Sequence, residues 1–203
     1  MRNVILKYGL IAGGIVSVVL LLGTALWIDE GMSSFEYGEL IGYASMVLAL
    51  SLVFFGIKSY RDNYHNGAMS FGMGFQVGIL ITLIASFMYA GTWEGYYQSK
   101  PELRATFMDK YTEQYLNKMR QQGASEVEIQ KQAETMAVWK ERYKNPLLRF
   151  GMTLVEILPV GIIITLISAA VLRRREASAQ RSGRFNESVI TKPQRFCSAE
   201  SFH

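Results

Sequence analysis

Four stretches of the chain, residues 8–28, 40–57, 71–93 and 150–172, are almost free of charge. Within them the only Asp, Glu, Lys or Arg is Glu156. A hydrocarbon core of about 30 Å takes about 20 apolar helical residues at roughly 1.5 Å each, close to the length of every stretch. The pattern therefore predicts four membrane-spanning helices. The alternative, buried core helices of a soluble domain, would need amphipathic partners to cover them, and only 94–149 could supply any. The first stretch follows Arg2 and Lys7 as a signal peptide would. Its apolar run is too long for that, and Leu26-Trp27-Ile28-Asp29 offers no small-residue cleavage site.

Composition sharpens this picture. Half of the 203 residues are apolar, yet the mean hydropathy is only +0.13, because the charged residues are concentrated between and beyond the four stretches. The fold class expected is all-α: an integral membrane four-helix bundle (residues 1–176) with a helical hairpin at 94–149 between spans three and four. A polar tail at 177–203 lacks helical periodicity and reads as disordered. Cys197 is the only cysteine, so no intrachain disulfide can form, and with two histidines no Cys/His metal cluster can be assembled. No phosphate cradle, nucleophile elbow or zincin helix is present. These absences imply no cofactor, no metal and no enzyme. The net charge of +4 sits at the edges of the apolar stretches, which points to lipid headgroups and away from nucleic acid.

Charge also predicts orientation. Arg2 and Lys7 precede span one, Lys58 and Arg61 follow span two, and Arg173-Arg174-Arg175 follow span four. Between spans one and two, residues 29–39 carry four carboxylates and no Lys or Arg. The positive-inside rule then places both termini and the 58–70 loop in the cytoplasm. The 94–149 insert has ten Lys or Arg, but it is long and also carries eight carboxylates.

That insert reads as two helices outside the membrane. Ser99 with Glu102 has capping-box spacing, and Pro101 suits a first turn. Leu103, Phe107, Tyr111 and Tyr115 share a face. Gly123 stops the helix, Ser125 and Glu128 repeat the capping box, and Ile129, Ala133, Met136, Trp139 and Tyr143 point inward. Asn145-Pro146 ends the second helix. The aromatic stripe serves either packing at the headgroup level, where Trp93, Tyr96 and Tyr97 also belong, or docking of an envelope partner.

Helices associate in lipid through small residues and interhelical hydrogen bonds. Gly9, Gly13 and Ser17 form such a ridge on span one. Ser45 and Ala49 mark span two, Gly74, Gly78, Thr82 and Ser86 span three, and Gly161, Thr165 and Ala169 span four. Glu156 is the candidate polar site, because a carboxylate inside a span costs a few kcal/mol unless protonated or partnered. Pro159 frees the carbonyl of Val155 and loosens that turn. Equal depth measured from the outer ends nominates Thr24, Tyr43, Ser45 and Ser86 as partners. Glu156 is then either a neutral, hydrogen-bonded lock or a site for ion or proton traffic.

Several of these stretches resemble a known family. They are Ile41-Gly42-Tyr43-Ala44-Ser45-Met46, Phe54-Phe55-Gly56-Ile57-Lys58-Ser59-Tyr60-Arg61-Asp62, Ser70-Phe71, Asn145-Pro146 and Glu156-Ile157-Leu158-Pro159-Val160-Gly161. They are similar to the four-helix membrane family called domain of unknown function 4199, over residues from about 5 to 175. The resemblance implies four spans in a bacterial cytoplasmic (inner) membrane and implies no activity. The 177–203 tail departs from that family's pattern.

Three function classes remain. One is a non-enzymatic membrane protein acting through partners, as a homo-oligomer, with an envelope protein, or by organising the membrane. The second is an oligomeric permease for a small solute or ion, using Glu156. The weakest is a membrane enzyme, for which the loop residues Lys58, Tyr60, Arg61 and Asp62 are too few; they read instead as an interface anchor with a local ion pair.

Overall fold

A computed structural model describes the backbone of residues 1–29 and 35–173, and the side chains of residues 1–24, 40 and 42–173. The 177–203 tail with Cys197, and residues 30–34 of the first loop, lie outside the described residues. Seven helices and no strand occur among the described residues: α1 (Arg2–Asp29), α2 (Phe35–Leu50), α3 (Leu52–Tyr64), α4 (Phe71–Ser99), α5 (Pro101–Gln121), α6 (Glu126–Tyr143) and α7 (Pro146–Leu172). Four segments are long and apolar enough to cross a membrane: Arg2–Thr24, Gly42–Tyr64, Phe71–Ser99 and Pro146–Leu172.

Span two departs from its expected continuity. It is two helices, α2 and α3, separated at Ser51. The Ser51 hydroxyl donates to the Leu48 carbonyl at 2.6 Å, competing with the helical ladder, and the Phe54 N–H bonds back to the Ser51 carbonyl at 3.0 Å. A serine that bonds back to the preceding turn in this way bends or interrupts a helix.

α4 is the central element, packed chiefly against α7 on one side and α1 on the other. Its ridge of small residues meets the ridge of α7 in antiparallel register. A Cβ added at Gly74 would lie 3.3 Å from Ala169, one at Gly78 2.6 Å from Thr165, and one at Gly161 2.2 Å from Thr82. Thr82 and Thr165 share a hydroxyl hydrogen bond of 3.1 Å in the middle of this seam. On the opposite side of α4, α1 runs parallel: Gly9 abuts Ile84, Gly13 abuts Met88, and Thr92 bonds to Ser17 at 3.0 Å.

Many large apolar side chains also point outward. Leu22, Leu48, Val155, Ile163 and Val171 are between 56% and 73% exposed, whereas Thr82, Ser86 and Thr165 are fully buried. Small and hydroxylated residues inside with bulky aliphatics outside is the surface of a protein whose solvent is hydrocarbon.

α5 and α6 pack on each other. Gly123, at φ +83°, makes the turn between them. Its missing Cβ removes the left-handed penalty there. Ser125 and Glu128 form the expected capping box: the Ser125 hydroxyl accepts from the Glu128 N–H, and the Glu128 carboxylate accepts from the Ser125 N–H at 2.9 Å. The Ser99 box does not form. α4 runs through to Ser99, so that hydroxyl donates back to the Tyr96 carbonyl, and Lys100 takes the N-cap position with no side-chain bond. Leu103, Ile129, Met136 and Tyr143 are buried as their spacing implies, but Trp139 is 37% exposed, with the Arg142 guanidinium over its ring.

Candidate functional site

At the end of the helices that carries α5 and α6, five elements converge on one guanidinium. Trp93, Glu94 and Tyr97 stand on the last turns of α4, Arg149 on the first turn of α7, Tyr143 at the end of α6 and Phe107 on α5; Leu20 of α1 packs against the cluster. Arg149 is 1% exposed. Its Nε and Nη2 donate to the two carboxylate oxygens of Glu94 at 2.7 and 2.6 Å, and its Nη1 donates to the Tyr143 carbonyl at 2.8 Å. The fork-on-fork geometry is the strongest form of this pairing. The guanidinium lies 4.2 Å from the centre of the Tyr97 ring and 5.6 Å from that of Tyr143. Those π faces replace part of its lost hydration.

The neutral groups around it are also satisfied. Trp93 Nε1 donates to the Tyr143 hydroxyl at 2.7 Å, and the Tyr97 hydroxyl donates to the Arg104 carbonyl at 3.4 Å. Phe107 stacks on Tyr143 with centroids 5.6 Å apart. Burial pushes the Tyr143 phenol well above its ordinary range, against the opposing pull of the Trp93 donor and the Arg149 charge. Tyr143 is therefore a neutral hydrogen-bonding group at any physiological pH.

Glu94 and Arg149 continue the small-residue seam. From the Thr82–Gly161 contact, twelve residues up α4 and twelve down α7 lead to this pair. Sequence reading missed the pair by treating the two residues as the limits of the hairpin. The signal was present: Glu94 is the first charge after one uncharged stretch and Arg149 the last before another, at ends that antiparallel helices bring together.

Glu156 sits elsewhere on α7, on an exposed position beside the fully buried Ile157. Its carboxylate is within hydrogen-bonding reach of the Tyr89 hydroxyl, a residue of α4 that sequence reading did not nominate, and Tyr43 of α2 is half exposed. Ser86, one turn from Tyr89, is fully buried, and its hydroxyl has no hydrogen-bond partner among the described residues. Thr24 donates to its own Leu20 carbonyl at 2.7 Å. The depth matching failed for Thr24 because α1 is staggered along α4. With Ser17 beside Thr92, Thr24 is level with Ser99, about three helical turns beyond Tyr89. Ser45 lines a shallow apolar groove with Ile15, Val19 and Leu48. Pro159 is accommodated within an unbroken α7.

At the opposite end, Lys58 is exposed and Arg61 pairs with Asp62 at 2.7 Å. Tyr60 is buried, stacked on Tyr64 at 5.2 Å, with its hydroxyl 3.4 Å from His65. These side chains brace the turn at Asn66 and Gly67, both at positive φ, that leads into α4.

Residues 7–174 match the family described as protein of unknown function, DUF4199. The chain belongs to this family. The DUF4199 match takes in the four apolar segments, α5, α6, the rim ion pair and Glu156, and it ends where the polar tail begins. No curated protein and no solved structure matches the chain.

Proposed function

We propose that this DUF4199 protein is a multi-pass protein of a bacterial inner membrane, with both termini in the cytoplasm, that acts without catalysis through protein partners or by organising the membrane. In this reading the four spans form one bundle and α5–α6 is an external hairpin. The observation that carries it is the use already made of the polar side chains in the seam and rim. Thr82, Thr165, Ser17, Thr92, Glu94 and Arg149 are engaged in joining helices to one another. The hairpin is then the large surface offered outside the membrane. Affinity purification from native membranes in mild detergent tests this. A companion enriched with the full chain and lost when residues 101–144 are replaced by a short linker supports it; a chain recovered alone contradicts it.

One observation favours a second reading, an oligomeric permease for a small solute or ion. Glu156 is partly exposed on α7 within hydrogen-bonding reach of Tyr89, with Pro159 one turn on. An intramembrane carboxylate with a single neutral partner in its own chain has room for a further polar neighbour from another, so a pathway would form between copies. Flux through the reconstituted protein that Glu156→Gln abolishes supports this reading; flux that is absent or unchanged removes it.

A further inference from the structure

We infer that α5–α6 is a hinged arm, swinging about an axis through Lys100 and Asn145 and held closed by Tyr143. The two connections between the hairpin and the spans have the same construction. Each sets an extended residue before a proline: Lys100, at φ −117° and ψ 93°, alone between α4 and Pro101, and Asn145, at φ −78° and ψ 117°, which with Lys144 separates α6 from Pro146. Proline denies the preceding residue the helical region, so α4 cannot run on into α5, nor α6 into α7. The seam register brings both connections to one height, about one turn beyond Tyr97 and Arg149. Two such short hinges side by side define a single axis, whereas either alone would leave the arm free to twist.

The contacts at the rim divide into a fixed and a movable half. Glu94, Arg149, Trp93 and Tyr97 all belong to α4 and α7, so the ion pair survives a swing of the arm. The contacts that break are those reaching across the axis: the Trp93–Tyr143 hydrogen bond, the Arg149 donation to the Tyr143 carbonyl, the Tyr97–Arg104 hydrogen bond and the packing of Phe107 on Trp93. Two of them meet at Tyr143, which closes the arm on the preformed pair. Opening uncovers one face of the Arg149 guanidinium and the edge of Trp93 while leaving the seam intact. Hinges at element ends that absorb a backbone change, beside a rigid packed unit, are the ordinary anatomy of such motion.

Spin-label distance measurements on the full chain in lipid nanodiscs, in a Cys197→Ser background, test the arm. Labels at Leu6 and Val127, 44% and 79% exposed, read span to arm; labels at Leu6 and Val171 read span to span. Tyr143→Ala is expected to broaden and lengthen the first distribution and leave the second unchanged. Adding Pro101→Ala and Pro146→Ala, which lets the helices run through, should narrow the first again. Should Tyr143→Ala fail to insert, Trp93→Phe removes the indole donor alone and is expected to give the same change in smaller degree. A Leu6–Val127 distribution as narrow in the latch variant as in the wild type overturns the inference. So does broadening of both distances together, which would mean that arm and spans loosen as one body.

Discussion

The residue that most of the rim depends on is Arg149. A charge that is 1% exposed is tolerable because every direction around it is answered: a carboxylate, a carbonyl and two aromatic faces. Breaking such a pair leaves an uncompensated buried charge, at about 3–5 kcal/mol. Measured by unfolding in detergent or lipid, Glu94→Ala should lower stability by that order and Arg149→Ala by less, since the Glu94 side chain it leaves is 22% exposed. The double replacement Glu94→Gln with Arg149→Met should recover much of the loss, because no lone charge remains. Arg149→Lys should recover little, since an ammonium cannot make the fork. The pair could have been suspected without a structure. Opposite charges flank two uncharged stretches, and only the assumption that flanking residues belong to the loop hid them. Glu156 is the reverse case. The acid within an apolar stretch was plain from sequence, but its neighbour Tyr89 was not: depth counting reached Ser86, one turn from Tyr89 on α4.

At the level of elements, the glycine and threonine ridge of α4 lies against that of α7, whereas Gly9 and Gly13 of α1 lie against Ile84 and Met88. Four-residue spacing puts small residues on one face, and in lipid that face has no stronger option than another such face. Among the glycines Gly161 makes the tightest contact, with Thr82 only 2.2 Å from where a Cβ would sit. Gly161→Val should push α4 from α7 and lower stability by about 1–3 kcal/mol. Gly91→Val, with open space around that position, serves as the control and should change stability little. The break at Ser51 was not legible, because a lone serine in an apolar run is as often a packing residue as a bend. α6 carries a further expectation. Hydrogen bonds from Ser125 hold the Glu128 carboxyl below its usual range. A depressed carboxylate stabilises the folded end above its ordinary pKa, and that contribution fades as pH falls through the lowered value. The protection factors of amides in the first turn of α6, corrected for the slower intrinsic exchange in acid, should therefore fall on acidification below the normal carboxylate range. In Glu128→Gln that acid dependence should be lost.

Across the whole molecule, half-apolar composition resolved into helices apolar on all sides. Hydroxyls and glycines line the seam among buried Val, Ile and Leu, further Leu, Ile and Val face outward, and α5–α6 closes over a buried ion pair at the rim. The four apolar helices were readable because bilayer thickness fixes the length of a spanning helix. Function was less readable, because the polar side chains that usually advertise chemistry serve here to join helices. The central claim is the side of the membrane on which the hairpin lies. Labelling with a membrane-impermeant maleimide in intact and opened cells measures this directly, using native Cys197 and, in a Cys197→Ser background, Val127→Cys. With the hairpin outside and both termini in the cytoplasm, the Val127 position is labelled in intact cells and Cys197 only after the cells are opened. The reverse pattern, or labelling of both positions in intact cells, would contradict it.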